Sequence, residues 1–411
     1  MRELAARLRV NRNTAVAAYR LLAQAGVVVA RGRAGTVIAG VEAVAQEGYA
    51  ADSILRDIGT GNPDPGRIPD LSSALARATG RPVLYGEPVI DPALEARALA
   101  WVREDLPGLE PGPDLRITVT NGAVDAVERL LAQALLRDDA VALEDPCFLA
   151  SIHTVRHGGY RAVPVPVDAE GMTVEGLRAA LDAGVRAIIC TPRAQNPTGA
   201  TLSPTRAAAL RTLLADHPYV LVIEDDHFSM LSQRPYETLI GPGHRRFALV
   251  RSVSKFLGPD MCLAIAATDA ETADRLAFRL SPGTTWVSHI LQRLVLAQLT
   301  DDTVLREVAE AGRHYAAQNV DFATRLTARG LPTEAGDGLN LWVALPVEAR
   351  IVAERLMRRG WLARTGDEFL LGGHPAASHH LRLTVHDLTE EEAGRLVDDL
   401  VEAAERSAPR T

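Results

Sequence analysis

The sequence predicts an α/β chain, with a mostly parallel sheet covered by helices on both faces and a small basic head in front of it. Three observations carry this. From about residue 58, short apolar runs alternate with amphipathic stretches of about 10–15 residues. The residues with distinctive chemistry fall just past the carboxyl ends of those runs, where open parallel sheets hold their ligands. Residues 1–40 carry seven arginines against one acid, a charge of +6, whereas the whole chain is −8 and the other 371 residues are therefore −14.

Composition narrows the class further. A chain of 411 residues exceeds what one hydrophobic core usually supports. With 47% hydrophobic and 23% charged residues it reads as an ordinary globular protein, neither disordered nor fibrous. No apolar run is long enough for a membrane span, and the first residues, Met1-Arg-Glu-Leu, carry charge where a signal peptide needs its apolar stretch. Cys147, Cys190 and Cys262 are widely spaced, an odd and sparse set that argues for reduced thiols in the cytoplasm and against a metal site. Of 44 basic residues only Lys255 is a lysine. A lysine amine can lose its proton and form an imine, which a guanidinium cannot.

In the head, residues 2–8 place Leu4, Ala5 and Leu8 at helical spacing. Residues 9–12 read as a turn. Asn13 or Thr14 is expected to cap a second helix running to about Gln24, with Ala15, Val16, Ala18, Tyr19, Leu21 and Leu22 on its buried face. Gly26 stops it, and residues 27–38 form a hairpin with an Arg/Gly tip. Helix, turn, helix and wing is the anatomy of a DNA-binding winged helix, in which the second helix enters the major groove and wing arginines touch phosphates. On that reading Arg9, Asn11, Arg12, Asn13 and Thr14 face DNA, with Arg31 and Arg33 on the wing. A small cap with a solvated arginine face is the plainer alternative.

Residues 41–57 lack periodicity and read as a linker. In the body, strands are expected at 116–120, 140–143, 187–191, 219–224, 247–251 and 262–267, and helices at 123–136 and 204–215. At the strand ends stand Asn121-Gly122-Ala123, Asn196-Pro-Thr-Gly, Asp225-Asp226 and Ser252-Val-Ser-Lys255.

The stretch "RELAARLRVNRNTAVAAYRLLAQAGVVVARGRAGTVI" resembles the GntR-type winged helix. That family has a further helix ahead of this point, so the resemblance implies a start codon lying upstream of Met1 or a truncated, partial winged helix-turn-helix. Residues 58–405 resemble fold-type I pyridoxal-phosphate enzymes of aminotransferase class I/II. Together the two resemble the MocR subfamily of transcription regulators. The implied organisation is a head at 1–40, a linker at 41–57, a cofactor-binding large domain with its N-terminal arm at 58–300, and a small α+β domain at 301–411.

The resemblance implies a role for each motif, and each has a plainer reading beside it. In "RSVSKFLGPDMC", Lys255 matches the catalytic lysine that holds pyridoxal 5'-phosphate as an imine; a surface lysine is the alternative. In "LVIEDDHF", Asp225 matches the carboxylate that keeps the pyridinium nitrogen protonated, although Asp-Asp at a strand end is also a cap. His227 takes the place of a common tyrosine near the cofactor's ring hydroxyl. Asn196, in a sequence that alone is a generic turn, matches the donor to the phenolic oxygen. Phe148 in "EDPCFLA" matches the aromatic residue stacked on the ring, a position that is otherwise core.

For the phosphate, Asn121, Gly122 and Ala123 open a helix whose N–H groups and dipole suit a dianion. Ser252 matches a hydroxyl ligand, and Tyr85 in "VLYGEP" a tyrosine reaching the phosphate from the partner subunit of a homodimer. The arginine usual seven residues after the lysine is here Cys262, and Arg251 or another nearby arginine is a candidate replacement for the lost charge. Arg382 in "HHLRLTVHDL" matches the arginine that pairs with an amino acid's α-carboxylate, and Gly61 a backbone contact nearby; a surface ion pair is the plain reading of Arg382. Ile90 stands where a glycine is common.

Two functions follow. The first is a cytoplasmic, dimeric DNA-binding transcription regulator responding to pyridoxal phosphate or a small amino compound. The second is an active aminotransferase with a vestigial head. A scaffold that has lost the cofactor is a third and weaker reading, motivated by Cys262.

Overall fold

The computed structural model describes residues 2–24, 28–30, 35–38, 48, 53–106, 115–280, 286–371 and 377–405. The chain divides into two compact units, 1–46 and 47–411.

The first unit contains helices α1 (Arg2–Arg7) and α2 (Arg12–Gln24) and an antiparallel pair, β1 (Val28–Ala30) with β2 (Thr36–Ile38). Helix, helix and hairpin thus appear in the expected order. The cap differs from expectation: α2 starts one residue before Asn13, and the Asn11 side chain accepts the Asn13 N–H at 2.9 Å. An asparagine just before the first helical residue satisfies one of the helix's orphan donors. The expected buried face also differs. Ala5 and Ala15 are buried, but Leu8, Val16 and Leu22 are exposed, as is Ala18. Gly26, Arg31 and Arg33 lie outside the described residues.

The second unit opens with β3 (Arg56–Asp57), which pairs with a strand over 300 residues later, so the end of the expected linker is ordered against the C-terminal part of the chain. Helices α3 (Ser72–Ala78) and α4 (Pro92–Arg103) follow, with Asp91 capping α4 ahead of Pro92. The main sheet is built from β4 (Leu115–Thr120), β5 (Ala140–Asp145), β6 (Arg161–Asp168), β7 (Gly171–Met172), β8 (Ala187–Cys190), β9 (Leu221–Asp226), β10 (Phe247–Ser252) and β11 (Ala264–Asp269). Their order is β4-β11-β10-β9-β8-β5-β6-β7. Pairs from β10 through β6 are parallel, and β11 and β7 are antiparallel to their neighbours. Every expected strand is present, with its ends moved by up to two residues.

Side chains alternate across this sheet and fill two cores. On one face Val141, Leu143, Ile189, Ile223 and Val250 pack against α5 (Ala123–Ala134) through Ala126, Val127, Leu130 and Leu131. On the other, Ala142, Ile188, Val222 and Leu249 meet α4 and the helix Pro204–Leu214. A third core belongs to the C-terminal part. There β12 (Asn340–Ala344), β14 (Arg364–Thr365) and β15 (His380–Thr384) form an antiparallel sheet in the order β12-β15-β14, while β13 (Trp361–Leu362) takes β3 as its parallel partner. Trp361, Leu381, Leu383 and Leu400 are among its buried residues, and Ile58 joins them. The helix Glu390–Ala404 covers this sheet and starts on a capping box between Thr389 and Glu392.

Among the described residues no helix is long and apolar enough to cross a membrane.

Candidate functional site

Sheet parity decides what can face a ligand. In β9, Leu221 and Ile223 lie on the α5 side, so Asp225 does too, and in β10 the same count brings Ser252 to that side. The N-terminus of α5 opens on the same face. Its cap, Gly122, holds φ +89°, and a Cβ there would come within 2.9 Å of Cys262 Sγ, so only glycine fits. The Asn121 carbonyl accepts from Cys262 Sγ at 3.3 Å, and its N–H donates to Asp125, itself paired with Arg129. Burial, and then the Asp125 charge, raises the Cys262 thiol above its ordinary pKa.

Asp225 is the most unusual group on this face. Its side chain is buried, and Oδ1 has no hydrogen-bond partner among the described residues. Burial, with the neighbouring Asp226 charge added, pushes its pKa up to about 7. A buried carboxylate oxygen without a donor is rare and calls for a cationic N–H. A protonated pyridine nitrogen is such a group, so this site fits the cofactor that the sequence resemblance implies.

Lys255 stands one residue into the short helix Ser254–Leu257 that follows β10. Its half-buried amine donates to the Gly61 carbonyl at 2.6 Å. Gly61, at φ +63°, also donates its N–H to Thr384 Oγ1 at 2.9 Å. Lys255, Gly61, Asn196, His227 and Asn340 line one small recess. The ring of His227 lies nearly parallel to that of Phe148, at 9° and 6.4 Å between centroids. Arg382 projects from β15, fully buried, over the Phe369 ring at 4.8 Å. It donates to Asn196 Oδ1 at 3.1 Å and to the Gly59 carbonyl at 2.6 Å.

The expected residues therefore gather as one constellation, with a single exception in this unit. Tyr85 is 95% exposed and meets only the edge of Trp286, at 5.7 Å; no contact joins it to the others among the described residues. In the first unit Arg9, Asn11, Arg12, Asn13 and Thr14 are all exposed.

Arg251 does not take the role of the missing phosphate cation. It lies on the opposite face of the sheet, fully buried, with Nε donating to Asp226 Oδ2 at 2.8 Å and Nη2 to Asp105 at 2.7 Å. Strand alternation enforces this, since Ser252 takes the α5 side.

Several residues near the site were not anticipated. Glu144 accepts from Gln195 Nε2 at 3.2 Å and from the Thr191 N–H at the same distance, and Gln195 in turn accepts from Thr198, bracing the turn that carries Asn196. Burial pushes Glu144 and Glu224 up to about 7. The signal available in the sequence was a carboxylate directly after an all-apolar run, as at Glu144 and Glu224.

Comparisons with known proteins agree with this geometry. The sequence profile of the family "Aminotransferase class I and II" matches residues 54–400. The vitamin B6 salvage pathway transcriptional repressor PtsJ of Salmonella typhimurium is 46% identical, over 99% of this chain and 93% of that protein. The uncharacterized HTH-type transcriptional regulator YdcR of Escherichia coli is 28% identical over 80% of this chain and 77% of its own length. Among solved structures, Pyrococcus horikoshii kynurenine aminotransferase superposes with a TM-score of 0.73 at 20% identity, covering 86% of this chain and 93% of that one. An archaeal alanine:glyoxylate aminotransferase reaches 0.74 at 21%, covering 86% and 91%.

Proposed function

The chain belongs to the family of class I and II aminotransferases, among the MocR-type transcription regulators that join such a domain to a GntR-type head, and from that premise we propose a regulator that senses vitamin B6 through the Lys255 site. The observation that carries this reading is the unpartnered carboxylate oxygen of Asp225 on the face that also bears Ser252 and the α5 N-terminus, with the one lysine of the chain following Ser252.

Pyridoxal phosphate, when bound, supplies an aldehyde and an electron-withdrawing ring. Lys255, whose amine donates to the Gly61 carbonyl, would be the residue that holds it covalently. Asp225 accepts the ring N–H, and the proton it shares there stabilises a buried charge that is otherwise isolated. Asn196 and His227 hold the ring oxygen, and Phe148 packs against the ring plane. Gly122 and Ala123 offer N–H groups to the phosphate, with Ser252 and Asn121 beside them, and Tyr85 reaches in from the second copy of a homodimer. Arg382 and the Gly61 backbone take the carboxylate of a small amino compound acting as effector. In the head, Arg9, Asn11, Arg12, Asn13 and Thr14 contact DNA, with Arg31 and Arg33 on the wing. We place the protein in the cytoplasm, with a domain order of head 1–40, linker 41–57, large domain 58–300 and small domain 301–411.

Ligand and DNA act on one another only if the cofactor binds two arrangements of the protein unequally. The test is a gel-shift titration of the full-length dimer on the DNA upstream of its own gene, with and without pyridoxal phosphate. Sequence-dependent, salt-sensitive binding that the cofactor shifts is expected. Binding that the cofactor leaves unmoved, with no label on Lys255 after borohydride trapping, refutes the reading.

A second reading, an active aminotransferase, is favoured by one observation: Lys255, Asp225, Asn196 and Arg382 are all present, Lys255 donates to the Gly61 carbonyl, and Arg382 donates to both the Gly59 carbonyl and Asn196. Incubation with a panel of amino and keto acids decides it, by whether any keto-acid product accumulates beyond one equivalent.

A further inference from the structure

Behind the cofactor face, three charged side chains are buried together. Asp226 follows Asp225 in β9 and therefore points the opposite way, toward the core that contains Val222 and Leu249. Arg193, just past β8, grips it with two parallel bonds, Nε to Oδ1 and Nη2 to Oδ2, each at 2.9 Å. Arg251, the partner of Asp226 across the β9–β10 pairing, adds Nε to Oδ2 at 2.8 Å. The Ser229 N–H completes the shell at 3.2 Å. Both guanidiniums lie against the Tyr236 ring, at 5.1 and 5.3 Å, and Arg251 also covers Trp101 at 4.8 Å. Asp105, beyond α4, holds the far end of Arg251.

We infer that Arg193, Asp226 and Arg251 form an ionic tie that positions the three strand ends from which the cofactor is held. The sequence offsets make the case. Arg193 is three residues before Asn196, Asp226 is adjacent to Asp225, and Arg251 is adjacent to Ser252 and four residues before Lys255. The backbone ladders set the relative height of the strands as far as Cys190 and the Arg251–Asp226 pair, but the segments that carry Asn196 and Lys255 lie beyond them, and crossovers in place of turns give those segments no local link to each other. A bidentate guanidinium–carboxylate pair fixes both distance and plane. Stability alone does not explain such a group, because a buried ion cluster is often no more stabilising than apolar residues of the same volume. Its contribution here is geometric: one carboxylate with both oxygens occupied ties the segment just past β8 to the ends of β9 and β10 on the hidden face, and Asp225 and Ser252, one position away, with Asn196, three positions on, inherit that placement on the open face. Arg193, Asp226 and Arg251 touch no ligand and are positioning residues.

This inference rests on the reading of Lys255 and Asp225 as a pyridoxal-phosphate site, and the experiment separates the two. Full-length protein is stripped of cofactor, and pyridoxal phosphate is titrated back while the dissociation constant and the visible circular dichroism of the bound cofactor are followed. The variants are Arg193→Lys, which keeps the charge but loses the two-point grip, and the charge-free Arg193→Met/Asp226→Leu/Arg251→Met. Apo-protein melting curves identify which of them are folded. For folded variants the expected result is a dissociation constant raised about tenfold or more, with the visible dichroic band reduced, while Lys255 is still the residue trapped by borohydride. If the triple variant does not fold, Arg193→Lys decides alone. A folded variant that binds with the wild-type constant and the wild-type dichroic band overturns the tie. Wild-type protein that takes up no cofactor on Lys255 overturns the site itself.

Discussion

Arg382 and Asn196 lie 186 positions apart and are hydrogen-bonded to each other, Nη1 to Oδ1 at 3.1 Å. The sequence suggests a separate ligand for each, a carboxylate for the arginine and a ring oxygen for the asparagine. The bond between them links the strand β15 of the C-terminal sheet to the turn after β8. Replacing Asn196 with alanine takes a partner from a fully buried guanidinium. The expected loss is about 1–3 kcal/mol of apo-protein stability, on top of weaker cofactor binding. Urea denaturation of the cofactor-free protein reads the first effect, and an unchanged midpoint refutes the coupling.

Cys262 makes a different prediction. Its thiol closes against the Asn121 carbonyl beside the α5 N-terminus, and the nearest charge acting on it is the acid Asp125. Arg251, a candidate replacement for the lost charge, faces the other side of the sheet and is committed to Asp226 and Asp105. Cys262→Arg adds a charge-assisted donor worth about 1.5–3 kcal/mol, or roughly 10- to 150-fold in affinity for pyridoxal phosphate. Fluorescence titration of the apo-protein measures it. Equal or weaker binding in a folded variant means that the phosphate is held elsewhere.

The sheet was largely legible because buried parallel strands are continuous apolar runs, as in Ala-Ile-Ile-Cys at β8 and Leu-Val-Ile at the start of β9. β6 was hidden by Pro164 and Pro166, which interrupt the reading of a strand and are tolerated near a sheet edge, with only the two-residue β7 beyond. The residues expected around Lys255 were legible because most of them lie at the end of a strand or a few residues past it. What connects them was not. The Arg382–Asn196 bond, the Lys255–Gly61 contact and the Arg193–Asp226–Arg251 cluster all join segments far apart in sequence, and residue type gives no distance. The head shows the reverse error: Val16 and Leu22 have the right spacing for a buried face but are exposed, since periodicity names a face without naming what covers it.

The head carries its own test. Arg12 is exposed at the first position of α2, next to the capping Asn11. A phosphate contact from this arginine predicts that Arg12→Ala weakens binding to every DNA sequence about equally and lowers the slope of log affinity against log salt by about one. Asn13→Ala, in contrast, is expected to reduce the preference for the operator over random DNA. Gel-shift titrations at several salt concentrations separate the two. An unchanged slope with Arg12→Ala removes that residue from the DNA face.

Asp225 offers the sharpest trade between stability and binding. Burial and the Asp226 charge raise its carboxyl from 3.8 to about 7. A group whose pKa is higher folded than unfolded stabilises the fold below its unfolded pKa, and that contribution is lost as pH rises through the folded value. The cofactor-free protein should therefore lose stability between about pH 4 and pH 7, as the unfolded chain's carboxyl ionises while the folded one is held protonated in a site with no donor for Oδ1. Asp225→Asn cannot ionise and escapes this loss. At pH 8 the apo variant is expected to be more stable than wild type by roughly 2–4 kcal/mol, an advantage that shrinks toward zero near pH 4. The same change removes the anion that holds the ring proton, so pyridoxal phosphate should bind at least about tenfold more weakly. Urea melts of both apo-proteins at pH 5 and pH 8, with a cofactor titration alongside, give the two signs independently. A variant less stable at pH 8 than wild type, or one that binds the cofactor equally well, would show that Asp225 is held by protein contacts and is not reserved for the ring nitrogen.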